Sequence, residues 1–161
     1  MPCYLFTFHA FGTWMPDREE GFVRREKGIL PPDEELAKQY RERAKEDEVF
    51  FDSWLQLLLI EEAQIAREKQ RYRIHYLATE PTHLHILVSW PDERPWLKIR
   101  SGLKSSLTRR LNREVQHRDK WFVENASRKQ VKDDGHFDHL VRSYLPSHGG
   151  WKWREGEAVF R

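Results

Sequence analysis

At 161 residues, 39% of them hydrophobic, the chain has the length of one ordinary domain and can bury a core without disulfides or metal staples. A single cysteine, Cys3, excludes an internal disulfide framework and fits a reducing compartment, and no apolar run is long enough to span a bilayer, so a cytoplasmic protein with no membrane partner is expected. The net charge is only +2, yet residues 94–132 carry twelve Lys/Arg against three Asp/Glu, a concentration that points one face at a polyanion such as nucleic acid.

Tyr4 to Phe11 is aromatic and apolar with β-branched Thr7 among it, and it stops at Gly12, which predicts a strand. From Thr13 to Asp52 the character changes. Gly21, Gly28 and Pro31-Pro32 break the stretch, and charges alternate densely from Asp33 to Glu48. It reads as a charged excursion, at about 31–52, from one domain spanning 1–161, with one exposed helix from about Asp33 to Lys45.

Ser53-Trp54-Leu55-Gln56 has the form of a capping box, so a helix is expected from Ser53 to about Lys69, with Trp54, Leu57, Leu58, Ala63 and Ile65 facing a sheet. Tyr72, Ile74, Tyr76 and Ala78 then alternate with Arg73, His75, Leu77 and Thr79, the period of a strand. Glu80-Pro81-Thr82 turns tightly into the apolar run Thr82 to Trp90, which predicts an antiparallel hairpin. Because strand side chains alternate, His83 and His85 project to one face while Leu84, Ile86 and Val88 enter a core. Two imidazoles on a rigid strand make a metal-binding edge, although eight histidines give such a pair some chance frequency.

A helix is expected after Pro91 to Pro95, with Asp92 as its cap. Ile99, Leu103, Leu107 and Leu111 recur every four residues as one apolar stripe, leaving Lys98, Arg100, Lys104, Arg109 and Arg110 on its flanks and outer side. Trp121 to Val123 reads as a further strand, which Ser127 to Val131 either continues or follows as a basic loop. A short helix is expected from Phe137 to Tyr144 or Leu145. Strand, helix, strand, strand, helix, strand, helix is the order of an α+β, ferredoxin-like antiparallel sheet, a split β-α-β unit with an additional C-terminal helix.

With these parts in place the chain resembles the HUH-type single-tyrosine transposases, the IS200-like and REP-associated group. The resemblance is carried by His83-Leu84-His85, by the basic helix around Leu103 to Leu107, and by Tyr144 about sixty residues downstream of the histidine pair. The opening Phe6 to Trp14 and the closing Trp151 to Gly156 are similar to one branch of that group. The resemblance implies a metal-dependent single-stranded DNA endonuclease and strand transferase forming a 5′-phosphotyrosine intermediate. His83 and His85 would ligate a divalent metal, magnesium or manganese, and Tyr144 would be the nucleophile. A phenol is a poor nucleophile near neutral pH without such help. The implied partner is single-stranded DNA with hairpin ends, in a nucleoid-associated location, and monomer and homodimer both remain open.

In that group a polar residue one turn beyond the tyrosine often completes the metal site, a position held here by His148. Pro146 lies between the two and disfavours helix at Leu145, which leaves His136 and His139 as competing ligands. Ligand chemistry alone suits zinc or copper, and the resemblance alone points to magnesium or manganese. The expected phosphate contacts are Lys98, Lys104, Arg109, Arg110, Arg128 and Lys129. Trp151 and Trp153 either stack on bases or pack the last segment. His9 and His75 read as sheet residues. Pro146 also sustains the alternative of a non-catalytic nucleic-acid-binding module on the same fold, whereas a two-histidine phosphoesterase would need a second His-x-Ser/Thr element that is not evident.

Overall fold

A computed structural model of the chain describes residues 1–12, 22–24, 28–30, 35 and 48–161. Apart from Glu35, which is helical, the expected helix from Asp33 to Lys45 lies outside the described residues, as do Thr13 and Trp14 of the opening motif. Among the described residues there are seven strands: β1 (Cys3–His9), β2 (Phe22–Arg24), β3 (Gly28–Leu30), β4 (Arg73–Glu80), β5 (His83–Ser89), β6 (Ser127–Gln130) and β7 (Lys152–Arg154). Helices are α1 (Ser53–Gln70), α2 (Trp96–Glu114) and α3 (Asp134–His139), the last continued by a π turn over Leu140–Tyr144 and a 3-10 turn over Leu145–Ser147. Among the described residues no helix is long and apolar enough to cross a membrane.

β6, β1, β5, β4 and β7 pair in that order, every neighbouring pair antiparallel. β5 therefore splits the β1-α1-β4 unit, which is the expected ferredoxin-like arrangement, and β7 adds a strand at the β4 edge. β2 and β3 form a separate hairpin within a stretch whose glycines and charges suggested no strands.

Alternation gives the sheet two different faces. Tyr4, Phe6 and Phe8 of β1 and Leu84, Ile86 and Val88 of β5 are buried beneath α1 and α2, where the Ile99, Leu103, Leu107 and Leu111 stripe meets them. Each such apolar side chain contributes about 1.5–3 kcal/mol on burial, so this layer holds the molecule together. On the other face Leu5, Tyr76, Ala78 and Leu87 pack against Leu140 and Leu145 of the C-terminal helical segment. A register shift between Ile74 and Tyr76 turns both Ile74 and Leu77 toward the main core, so plain alternation fails along β4.

Several expected boundaries shift for physical reasons. α1 is capped by Asp52, whose Oδ1 accepts the Leu55 N–H at 2.9 Å, and not by a Ser53–Gln56 box. Ser53 and Gln56 instead serve tertiary partners: the Ser53 hydroxyl accepts from the Trp151 indole and Gln56 Oε1 accepts from Thr79 Oγ1 and Trp151 N. The buried apolar residues of α1 are Leu55, Leu58, Leu59, Ile60, Ala63 and Ala66, while Trp54, Leu57 and Ile65 are exposed. Asp92 does not cap α2, because its carboxylate is engaged by Arg94, and Pro95 stands at the cap. Trp121 and Phe122 are core residues with a single bridge, from Phe122 to Ala10 just beyond β1, and the strand lies later, at Ser127–Gln130. α3 starts three residues before the expected Phe137, where Asp133 Oδ1 accepts the His136 N–H.

Candidate metal and nucleophile site

His83 and His85 lie on the face of β5 opposite the main core, two residues apart, with ring centroids 4.7 Å from each other. The sheet register supplies their supports. Thr7 stands across from His85, and its hydroxyl lies 2.7 Å from His85 Nδ1. Thr82 Oγ1 lies 2.9 Å from His83 Nδ1. His9, opposite His83, brings a further imidazole, its ring 5.8 Å from that of His83.

The third imidazole arrives through an irregular helix end. In a continuing α-helix Pro146 would lack an N–H for the carbonyl four residues back and its ring would press on that carbonyl. Here the turn before it widens into a π turn, and the one containing it tightens to 3-10. His148 follows in extended conformation, and its ring stands 4.5 Å from that of His85 and 5.5 Å from that of His83. Its Nδ1–H donates to the carbonyls of Tyr144 and Leu145, both at 3.1 Å, which also accept from the Ser147 hydroxyl and the His148 N–H respectively. Pro146 thus reshapes the helix end without carrying His148 away.

His83, His85 and His148 each offer a ligand atom within 4.8 Å of the other two, so the cluster can hold a metal ion. Oxygen partners engage all three Nδ1 atoms, the outer contacts that orient ligating imidazoles and leave Nε2 as the ligand atom. His85 Nε2 is buried and has no hydrogen-bonding partner among the described residues. Such an atom typically costs about 1–3 kcal/mol, a penalty that a coordinated cation relieves. Burial, and then the neighbouring His83, His148 and His9, hold the His85 pKa well below the ordinary imidazole value, which keeps the ring neutral as a ligand must be. Three nitrogen donors suit a transition cation better than one that demands oxygen ligands.

Tyr144 closes the site. Its ring lies 5.5 Å from that of His85 and 5.1 Å from that of His148, and the side chain remains 40% exposed, open to a substrate. The alternative of a buried helix tyrosine does not describe it. His136 and His139 fall outside the cluster and line a cavity beside Tyr144. His75 is a satisfied sheet residue, with Nε2 2.8 Å from Ser89 Oγ.

The expected phosphate contacts divide between the two faces. Lys98, Lys104, Arg109 and Arg110 belong to α2, on the side of the sheet away from the histidines. Arg110 is engaged by Glu61, Glu62 and Glu114, a commitment to stability that its sequence context did not reveal. Lys104 Nζ donates to the Val123 carbonyl, and Arg109 reaches Ser106 Oγ. Arg128 stacks its guanidinium over Trp96 at 3.9 Å. Lys129, opposite Leu5 in the register, is the member of the set on the histidine face. Trp153 is core, with Arg67 over its ring, and the half-buried Trp151 is fastened by its indole to Ser53.

Two supporting residues escape sequence reasoning. Thr7 is identified only by the register that sets it opposite His85. Lys152 is buried on β7 with its ammonium donating to the His148 carbonyl at 2.6 Å, which fixes the backbone that carries the third imidazole. Nothing in a Trp-Lys-Trp segment announces that contact.

A split β-α-β sheet thus carries a histidine pair on its open face, met there by a tyrosine from the C-terminal helical segment. No protein-family model matches the sequence, and no curated protein matches it. Among solved structures, a REP-associated tyrosine transposase bound to a REP hairpin superposes with a TM-score of 0.50 at 11% identity, over 87% of this chain and 62% of that one. Another similar structure, from Deinococcus radiodurans R1 and provisionally described as a transposase, gives a TM-score of 0.47 at 12% identity, covering 93% and 92%. This chain has the fold of the REP-associated tyrosine transposase and spans under two thirds of that structure's length.

Proposed function

We propose that this chain belongs to the IS200-like and REP-associated transposases and is a metal-dependent endonuclease and strand transferase of single-stranded DNA. The observation that carries the reading is the contact of the Tyr144 ring with both His85 and His148 beside a three-imidazole cluster. His83, His85 and His148 would hold the cation, and Thr7, Thr82 and the Tyr144 carbonyl would orient them. When bound, the cation polarises the scissile phosphate and offsets the negative charge that builds on phosphorus. Of magnesium and manganese, the nitrogen-rich donor set favours manganese.

Tyr144 Oη gives up its proton to solvent and attacks phosphorus, forming a 5′-phosphotyrosine. The P–O3′ bond breaks, and the leaving oxygen takes a proton to become a free 3′-hydroxyl. Attack by another 3′-hydroxyl reverses these steps and joins strands with no energy cofactor, because the phosphodiester's energy is kept in the covalent link. The REP-associated transposase was solved on a hairpin, which supports hairpin-ended single-stranded DNA as the substrate class here. Tyrosine and histidines meet within one chain, so a monomer suffices for the chemistry.

With manganese and a fluorescent hairpin-ended single strand, the wild-type protein should form a DNA adduct that survives denaturing electrophoresis. Tyr144→Phe should abolish it while DNA binding persists. An equal yield of adduct from Tyr144→Phe would remove Tyr144 from the reaction.

A further inference from the structure

The histidine face also holds a cavity of about 250 Å³ that the metal and nucleophile chemistry leaves unused. Its construction follows from register and helix phase. Ser127 and Lys129 of the edge strand β6 stand opposite Thr7 and Leu5, so both face this side and make one wall. His136 and His139, three residues apart on α3, make the other. Tyr144 lines one end, so a single side chain borders both this cavity and the histidine cluster.

The lining offers an ammonium, two imidazoles and the three hydroxyls of Thr7, Ser127 and Tyr144, with no carboxylate among it. The nearby acid Asp133 is spent on its own helix, accepting the His136 N–H at 2.7 Å. His136 Nδ1 accepts the Lys132 backbone N–H, which leaves an N–H on the neutral ring's other nitrogen to donate. Leu5 and Leu140 supply apolar surface between these polar groups. Cationic and hydrogen-bonding walls, with ring faces and leucines against which a flat group can lie, match a nucleotide rather than a simple anion or an apolar molecule. The volume falls just below the ~300–1,000 Å³ of pockets for drug-sized ligands, which limits the occupant to about one unit of a strand.

We propose that this cavity is the binding subsite for the single nucleotide joined to the scissile phosphate, with Lys129 on its outer phosphate and His136 and His139 on its base or sugar. The cavity as a single-strand subsite stands on its own lining; its adjacency to the cleaved bond rests on Tyr144 being the nucleophile. A strand seated there is held on one side of Tyr144, while the phosphate to be cut lies on the other, toward the histidines.

Binding is read apart from cleavage by using the Tyr144→Phe protein in EDTA with a short fluorescein-labelled oligothymidylate. His136→Ala/His139→Ala, Lys129→Ala and the cavity-filling Ser127→Trp should each weaken binding by about tenfold, the scale of one lost base contact. Circular dichroism checks that each variant folds. In the protein with Tyr144 intact, thymidine monophosphate should shift the His136 and His139 ring signals in NMR spectra, and inorganic phosphate should not. Unchanged oligothymidylate affinity in the folded His136→Ala/His139→Ala and Ser127→Trp variants overturns the subsite, as does an equal response to inorganic phosphate. Weakened binding alongside a wild-type protein that forms no adduct would uphold the strand subsite while removing the transferase reading.

Discussion

Burial of the His85 imidazole, reinforced by His83, His148 and His9, pushes its pKa down to about 2. In the unfolded chain the same ring titrates at about 6.5. Above that pH neither state binds the proton and the ring does not affect the pH dependence; as pH falls below it the unfolded state is protonated first, and stability is lost toward the folded value. Metal-free protein should therefore show urea stability that is flat above about pH 6.5 and falls below it, by up to about 1.4 kcal/mol per pH unit from His85. His85→Gln should flatten that fall, leaving a shallower one from His75, whose pKa is also lowered by burial and Arg73. Denaturation series at pH 7 and lower, with EDTA present, check this; an unaltered slope in His85→Gln would contradict it. Because the folded ring stays neutral through this range, protonation of His85 itself does not compete with a cation while the fold persists.

At the scale of elements, the site depends on places where regular structure gives way. The shift between Ile74 and Tyr76 sends Leu77 inward and leaves Tyr76 and Ala78 as a seat for Leu140 and Leu145, the residues that bracket Tyr144. The segment after His148 is held just as closely. Gly150 N donates to the Thr79 carbonyl, and a Cβ there would run into that carbonyl oxygen and lie 2.6 Å from Gln56 Oε1. Backbone and a buried, fully engaged amide cannot yield cheaply. Gly150→Ala should destabilise the protein by about 1–3 kcal/mol and also weaken metal binding, because the chain carrying His148 must move outward. Chemical denaturation and manganese titration calorimetry measure both effects; a neutral outcome in both would mean that this segment is free to shift.

At the scale of the whole molecule, one sheet serves two layers with different tasks. α1 and α2 cover one face with most of the apolar core, and the other face is left to histidines, a tyrosine and a short irregular helix. The basic residues of α2 therefore cannot be read as a single phosphate track to the site. Arg110, shared by Glu61 on α1, Glu62 on α1 and Glu114 on its own helix, ties the two helices together. Arg110→Ala should lower stability by about 1–3 kcal/mol, since it leaves the part-buried Glu62 carboxylate without its partner. The salt dependence of DNA binding should stay as in the wild type, because no phosphate contact is lost. A shallower salt slope in that variant would place DNA on the outer helix face instead.

The sequence alone determined what depends on short-range period: the element order of the split β-α-β fold, the four-residue stripe of α2, and the shared face of His83 and His85. These are legible because a strand repeats every two residues and a helix every 3.6, whatever surrounds them. Local pattern misjudged the inner face of α1, since Asp52 and Ser53 cap equally well on paper and only tertiary partners claim Ser53 and Gln56. It could not tell Trp121–Val123 from Ser127–Gln130 as the edge strand, nor divide basic residues between faces. Tertiary structure alone decided that Thr7 meets His85, that Lys152 holds the His148 carbonyl, and that the turn around Pro146 still delivers His148 to the cluster. Each is a contact between residues distant in the chain or across an irregular turn, set by sheet register and by packing between layers, for which no local spacing of residues carries a signal.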